Sequence, residues 1–549
     1  MKSAITILLL LMTHVCLAQI PQLVKDINPG KGSVSNSESC VANGKFFFNL
    51  NSHATGGNNE LWVSDGTDAG TFMLHEFKIG STVKGMEPMG SKMYFVADDS
   101  LHGREVWVTD GTISGTSMVK DVNSAPLTSS LNYNYLSRYL TAVNGKIFFP
   151  ANDGVHNMEI WVTDGTGIGT YLVKDINPDT CGIDTYYYAH YAYPGSNCKA
   201  FNKFFFAGDD GVHGNTLWVS DGSATGTQLV TTDSAFQFPI AMMPTDHLLF
   251  FDAMGGLCVS DGTTSGTKVL SDSLSPITFN EYASIGDVLY YIGYNAVNYT
   301  VCKTDGTIAG TRIIVDSLYN TTSASNWYDN NKIKQFGPTI LNNKLLFSTD
   351  TVLWVSDGTK AGTKSIFTIG SHIEQLQSIN SHVYFKVAVK NGTSFHAEIY
   401  SSDGTDTGTK QIVYPGENHS GTYLFINSNN QRSNFAAVNN TLYFFNGYDS
   451  SVGIELYKLD IPADVHAITK EEKVIKIWPN PVTNSVQIKA PYPPKGETYD
   501  VTITSTVGQV VFHQQYKNTE KMQIDVHSFA AGIYFIQLNG MYAGKFVKE

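Results

Sequence analysis

The chain repeats one short phrase at long intervals. Asp-Gly-Thr or Asp-Gly-Ser, followed by Gly-Thr after two intervening residues, occurs eight times, first in Glu60-Leu61-Trp62-Val63-Ser64-Asp65-Gly66-Thr67-Asp68-Ala69-Gly70-Thr71. The Asp residues are Asp65, Asp110, Asp164, Asp221, Asp261, Asp305, Asp357 and Asp403, separated by 45, 54, 57, 40, 44, 52 and 46 residues. A period of that size is one supersecondary unit of a repeat architecture, which buries its apolar faces only against neighbouring units.

Each repeat has the same internal order. In the third, Leu140-Thr141-Ala142-Val143 is followed by an Asn144-Gly145 turn and by Lys146-Ile147-Phe148-Phe149. A second turn, Asp153-Gly154-Val155-His156, leads to Glu159-Ile160-Trp161-Val162-Thr163. The Asp164-Gly165 turn then leads to Tyr171-Leu172-Val173-Lys174-Asp175-Ile176. Asp and Asn before Gly are strong hairpin signals, so the unit reads as four antiparallel strands. Runs such as Phe46-Phe47-Phe48 lack the alternation of a half-exposed strand and fit a sheet covered on both faces. The expected fold class is all-β, a β-propeller.

Second strands of this kind recur nine times, the last at Leu442 to Phe445, so nine blades are expected, with eight as the alternative. The ninth unit stops after Glu455-Leu456-Tyr457-Lys458-Leu459-Asp460 without a fourth strand. The missing strand stands at the other end of the chain, where Leu23-Val24-Lys25-Asp26-Ile27-Asn28-Pro29 repeats Leu172-Val173-Lys174-Asp175-Ile176-Asn177-Pro178. The N-terminal strand is therefore expected to complete the last blade, which removes open sheet edges.

Residues 1–18 read as a secretory signal: Lys2, then an apolar run from Ile5 to Met12, then Ala18 before Gln19. The run is too short to span a bilayer, and no later stretch is suited to do so. Thr13-His14-Val15 before Cys16 fits a lipid-attachment site poorly. The formal charge of −13 argues against a nucleic-acid partner. In an oxidising compartment Cys181 and Cys198, which bracket one aromatic insertion, are a candidate disulfide. Cys40 is left without a pairing partner. Cys258 and Cys302 occupy the slot held by Trp62, Trp107, Trp161, Trp218 and Trp354 in other repeats, and read as core fillers.

The repeated Asp reads as a structural turn former; a ring of carboxylates binding calcium is the competing reading, weakened because each copy offers mainly one Asp. No metal site or other cofactor is expected. Hairpin geometry puts the Asp-Gly-Thr turns on one face of the propeller. The opposite face receives the hairpins with His102, His156 and His213 and the long insertions at 122–139, 177–197, 316–335 and 414–432. Within one insertion, Tyr186, Tyr187, Tyr188, His190, Tyr191 and Tyr193 are candidate ligand-binding residues for a sugar or a protein. Packing on their own loop is the competing reading. No activated nucleophile, close carboxylate pair or phosphate loop is recognisable, so no catalytic residue is assigned.

After Asp460, residues 461–473 read as a polar linker and 474–549 as a small β-sandwich of short strands. Here Trp478-Pro479-Asn480-Pro481, Val507-Gly508-Gln509, Phe529-Ala530-Ala531-Gly532-Ile533-Tyr534 and the terminal Lys545-Phe546-Val547-Lys548 resemble the type A C-terminal sorting domain of the type IX secretion system. Phe529 stands where that family usually has Leu. The resemblance implies export from a Bacteroidetes-type bacterium, with the secretion machinery as partner. Residues 19–460 resemble the ELWxxDGT repeats of such bacterial surface proteins. The expected function is an exported binding or adhesion module for a polysaccharide or protein. The alternatives are a polysaccharide-acting hydrolase or lyase with its site at the propeller mouth, and a purely structural surface protein.

Overall fold

The computed structural model describes residues 21–29, 34, 38–51, 59–77, 83–125, 129–131, 140–179, 182, 197–276, 282–294, 298–320, 337–349, 351–369, 372–391, 394–412, 436–446, 455–461, 476–489, 498–505, 509–517, 521–538 and 541–549. The chain divides into two compact units, Met1–Ala463 and Asp464–Glu549.

Among the described residues of the first unit there are nine antiparallel sheets. Sheet 1 runs Ser39–Ala42, Lys45–Asn51, Asn59–Ser64, Phe72–Phe77, and sheet 2 runs Lys84–Met89, Lys92–Asp98, Arg104–Thr109, Ser117–Met118. Sheet 3 is Thr141–Val143, Lys146–Asn152, Met158–Thr163, Tyr171–Lys174, and sheet 4 is Asn197–Ala200, Lys203–Asp209, Asn215–Ser220, Gln228–Leu229. Sheets 5, 7 and 8 repeat the pattern from Ile240, Thr339 and His372. Sheet 6 carries a fifth strand, because Ser275–Pro276 and Tyr282–Ile285 both pair with Val288–Tyr294.

Sheet 9 joins the two ends of this unit. Its order is Gln22–Lys25, Glu455–Asp460, Thr441–Asn446, Ala436–Val438. Leu23 lies opposite Tyr457 and Lys25 opposite Leu456, with a bulge between the two pairs. The N-terminal segment thus sits against Glu455–Asp460, where its likeness to residues 172–178 places it.

Successive sheets pack face to face. Phe47 of sheet 1 shares a cluster with Met93 and Phe95 of sheet 2, and Tyr94 and Val96 share the next with Ile147 and Phe149 of sheet 3. The series continues through sheets 4 to 8. Sheet 8 packs on sheet 9 through Tyr384, Leu442 and Phe444, and sheet 9 on sheet 1 through Tyr443, Phe46 and Phe48. The unbroken apolar runs follow from this stacking. Phe46 and Phe48 point one way and Phe47 the other, and all three are nearly inaccessible to solvent. Truncating one of these rings to Ala is expected to cost about 3–5 kcal/mol.

The second unit is a two-sheet sandwich. Lys476–Trp478, Ser485–Lys489 and Lys521–Asp525 form one sheet. Val510–Lys517, Thr498–Ser505, Gly532–Leu538 and Met541–Lys548 form the other, in that spatial order. Val486, Ile488, Ile503, Ile524, Ile536 and Phe546 fill the space between them.

Candidate functional site

The repeated turn is a closed hydrogen-bond device. Asp65 Oδ1 accepts from Thr67 N at 2.9 Å and Thr67 Oγ1 at 2.7 Å, and Thr67 Oγ1 accepts from Gly70 N at 2.9 Å. Thr71 Oγ1 donates to Thr67 O at 2.7 Å. The last copy repeats the pattern around Asp403, Thr405, Gly408 and Thr409. The bond from the Thr67 hydroxyl, above all, holds the Asp65 carboxyl below its ordinary range. The second Gly is required because the carboxylate lies where a Cβ would stand. A Cβ on Gly70 would be 2.0 Å from Asp65 Oδ1, and in the other seven copies the corresponding approach is 1.9–2.1 Å.

The turn also fastens each sheet to the one before it. The first Gly has positive φ, and a side chain there would strike the preceding sheet: Tyr443 for Gly66, Tyr94 for Gly165, Tyr290 for Gly358. Lys45 Nζ donates to Gly111 O and Lys146 Nζ to Gly222 O, each at 3.4 Å. These lysines open second strands, so the Asp-Gly-Thr turns and the first-to-second-strand turns share a face.

The other face gathers the second-to-third-strand hairpins and the connections between sheets. Asn152 N donates to Ser130 O, and Asp209 N to Gly182 O. Three consecutive sheets present the same tip there. Asp99 Oδ1 accepts from Leu101 N and His102 N, and Asp99 Oδ2 lies 2.7 Å from His102 Nδ1. Asp153 holds Val155 and His156 in the same way, and Asp210 holds Val212 and His213, each with 2.8 Å to Nδ1. Fixing Nδ1 leaves Nε2 as the nitrogen open to a ligand. The hydrogen bond to the carboxylate raises the pKa of His102 and of His156. The aliphatic residue beside each His stands out into solvent: Leu101 is 67%, Val155 77% and Val212 80% exposed. Each imidazole therefore belongs to its own turn, and the three are not brought together.

Tyr186, Tyr187, Tyr188, His190, Tyr191, Tyr193, Cys181 and Gly508 lie outside the described residues. Cys198 is buried in the cluster between sheets 4 and 5. Cys258 and Cys302 are buried in the Trp slot, and burial pushes their thiols up to about 12 and about 11. Among the described residues no group of three or more His, Cys, Asp or Glu side chains is placed to hold a metal ion.

Sequence reasoning missed three buried glutamates. Glu105, Glu159 and Glu455 are fully shielded from solvent at the same position of their sheets. Glu455 accepts from Ile27 N at 2.8 Å and Asn28 N at 3.3 Å, and Glu159 from Asn177 N at 3.2 Å and Gly182 N at 3.0 Å. Glu105 accepts from Ser130 Oγ at 2.6 Å. Burial, helped by Asp26, Asp121 or Asp175 nearby, pushes each carboxyl up to about 7. The signal was present in the sequence: each Glu is matched with a Lys-Asp-Ile/Val-Asn segment at 25–28, 120–123 or 174–177. A carboxylate caps the backbone where the chain leaves the fourth strand.

In the second unit the motif residues meet at the last strand. Asn480 Oδ1 accepts from Val547 N at 2.9 Å, and Asn480 Nδ2 donates to Lys545 O at 3.3 Å. Val482 N donates to Val547 O, and Glu549 N to Val482 O. Tyr534 stacks on Phe546 and donates to Ala530 O at 2.9 Å, while Gly532 lies opposite Lys548. The segment around Pro479 and Pro481 is thus bound to the C-terminal strand.

These features define an all-β protein of propeller-like stacked sheets carrying a separate sorting sandwich. Residues 476–549 match the family model of the secretion system C-terminal sorting domain. That domain indicates export by type IX secretion to the cell surface or the medium. No helix among the described residues is long and apolar enough to cross a membrane. No curated protein matches the chain. Similar solved structures include PorZ, a surface component of the type IX secretion system of Porphyromonas gingivalis: 11% identity, 93% of this chain and 75% of PorZ covered, TM-score 0.31. The propeller domain of the Trilobed protease from Pyrococcus furiosus is 10% identical over 70% of this chain and 98% of that domain, TM-score 0.32. A puromycin-hydrolysing peptidase from Mycobacterium tuberculosis is 10% identical over 72% of this chain and 56% of its own, TM-score 0.37.

Proposed function

We propose that residues 19–460 close into a nine-bladed ring that acts, after export, as a binding or adhesion module for a polysaccharide or protein ligand. The observation that carries the reading is the row of three matching hairpin tips in consecutive sheets, each offering an exposed aliphatic side chain beside an imidazole. Exposed apolar groups held on rigid turns suit recognition, because little ordering entropy is lost on binding. Ring closure is supported by the pairing of Gln22–Lys25 with Glu455–Asp460 and by the packing of sheet 9 on both sheet 8 and sheet 1. Residues 1–18 serve as the export signal and 474–549 as the address read by the secretion machinery. On this reading the eight Asp-Gly-Thr turns are scaffold and need no calcium.

The test is a glycan array and a panel of surface proteins probed with purified residues 19–460, alongside the triple variant Leu101→Asp, Val155→Asp, Val212→Asp. Binding that the triple variant loses while remaining folded supports the proposal. Binding indifferent to the triple variant moves the site elsewhere, and turnover in a polysaccharide hydrolysis screen favours an enzyme. Silence in both assays favours a structural surface protein.

A further inference from the structure

Two of the three buried glutamates, Glu105 and Glu159, leave a pattern of unpaired atoms that the cap alone does not explain. In sheet 2, Glu105 Oε1, Asp121 Oδ1 and Trp107 Nε1 are buried atoms without a hydrogen-bond partner in the protein. In sheet 3 the same holds for Glu159 Oε2, Asp175 Oδ1 and Trp161 Nε1. The residues are not peripheral: Glu105 and Glu159 are 0% exposed, Trp107 6% and Trp161 7%. A buried polar atom left unpaired forfeits its hydration without replacement, so a coincidence of three in each of two sheets needs an explanation.

The strand geometry gathers these atoms. Glu105 and Trp107 are two residues apart on one strand, as are Glu159 and Trp161, so each pair projects from one face of its sheet. The pairing of Ile160 with Lys174 puts Asp175 next to the position across from Glu159. The bond from Val119 N to Val106 O does the same for Asp121 and Glu105. Cross-strand neighbours have Cβ atoms about 4.5–5.5 Å apart. Sheet 1 shows that Glu and Trp at this spacing reach one another, since Trp62 Nε1 donates directly to Glu60 Oε2 at 2.8 Å. In sheets 2 and 3 the glutamate bonds instead to Ser130 or to the backbone at Asn177 and Gly182, and the indole N–H has no acceptor in the protein.

We propose that sheets 2 and 3 each bind one buried water molecule, held by Trp107 Nε1, Glu105 Oε1 and Asp121 Oδ1 in the first and by Trp161 Nε1, Glu159 Oε2 and Asp175 Oδ1 in the second. The donor count selects the ligand. Each set offers one donor and two acceptors, and a water molecule has two donors and room to accept. Two carboxylate oxygens alone would suit a cation, but the indole hydrogen directs positive charge into the same space. A proton shared directly between Glu and Asp would leave the indole unpaired. Where the set is broken, polar atoms also stay unpaired, Trp218 Nε1 in sheet 4 and Asp26 Oδ1 in sheet 9, but no group of one donor and two acceptors is formed. In sheet 1 the indole already has its carboxylate, and in sheet 9 Tyr457 replaces the Trp while both Glu455 oxygens take backbone N–H groups.

The test uses the full chain with 15N-labelled indoles, assigned by single Trp→Phe variants. Through-space transfer between indole N–H and a long-lived water is expected for Trp107 and Trp161 and not for Trp62. Asp121→Asn, which keeps an acceptor, should retain the Trp107 signal, and Asp121→Leu should abolish it while leaving that of Trp161. A crystal structure should show one oxygen atom within hydrogen-bond distance of all three partners in each sheet. The proposal fails if Trp107 and Trp161 behave as Trp62 does. It also fails if Glu105 and Asp121 touch directly, or if the site holds a cation. Should Asp121→Leu not fold, the comparison of the three native indoles decides by itself.

Discussion

Replacing Glu105 by Gln should change how stability depends on pH. Glu105 is fully buried, and loss of hydration, opposed by the bond from Ser130, raises its carboxyl from an ordinary 4.5 to about 7. A folded-state pKa above the unfolded one means that the folded state binds the proton more tightly. The associated stability is present in full below about pH 4.5 and is lost as pH rises through about 7. A tenfold difference in proton affinity between the two states corresponds to about 1.4 kcal/mol, so between pH 5 and pH 8 this single group should withdraw about 2–3 kcal/mol. Gln keeps the shape and does not titrate. Urea unfolding of wild type and Glu105→Gln at pH 5, 6, 7 and 8 therefore isolates the contribution of Glu105. The variant should gain on wild type by about 2–3 kcal/mol across that range. Parallel pH profiles would refute the reasoning, and so would a variant that loses ground as pH rises. Glu159 should behave in the same direction.

Gly70→Ala should destabilise sheet 1 by about 1–3 kcal/mol through overpacking, and Asp65→Ala in the same chain should recover much of that, since the clash is with the Asp65 carboxylate; a double-mutant cycle with no coupling would contradict this. Deleting residues 19–28 should expose the edge of Glu455–Asp460 and leave Glu455 buried without its N–H partners; size-exclusion chromatography should show association that an added peptide of residues 21–29 suppresses. Asn480→Ala should loosen the last strand of the sorting sandwich by about 1–3 kcal/mol, read as a lower melting temperature of that unit. Deleting residues 474–549 should strand a folded protein in the periplasm, and normal surface display of that truncation would overturn the sorting assignment.

What could be read in the sequence was what local chemistry dictates. The Asp-Gly turns require positive φ at Gly66, Gly165 and their counterparts, so the hairpins announce themselves. Phe46-Phe47-Phe48 reports two covered faces because each neighbouring sheet takes alternate rings. The reason for the second Gly was not legible. That Asp65 folds back over Gly70 depends on side-chain direction, which spacing alone does not give. The buried glutamates were hidden for a similar reason. A Glu in a strand ordinarily reads as surface, and Glu105, Glu159 and Glu455 become caps only through segments that lie beyond the next hairpin or at the other end of the chain. The three His tips were found, but their bonds to Asp99, Asp153 and Asp210 depend on the loop conformation.

The capping device bears on how the nine sheets can assemble. In sheet 3 the glutamate and the segment it caps are separated by 18 residues, so the sheet can complete itself soon after its strands exist. In sheet 9 the same bond, Ile27 N to Glu455, spans 428 residues. Loop closure over such a distance is the slowest kind of contact to form, because its entropic cost precedes any reward. The other sheets can therefore stack first, with the edge of Glu455–Asp460 unpaired until Gln22–Lys25 arrives. Lys25 then reaches the Asp68 side chain and backbone on sheet 1, and Tyr443 lies on Gly66 across the same boundary. One short strand thus completes sheet 9, and side chains on both sides of it tie that sheet to sheet 1. A lesion confined to residues 22–28 should accordingly slow or block the final folding phase while leaving the earlier phases intact.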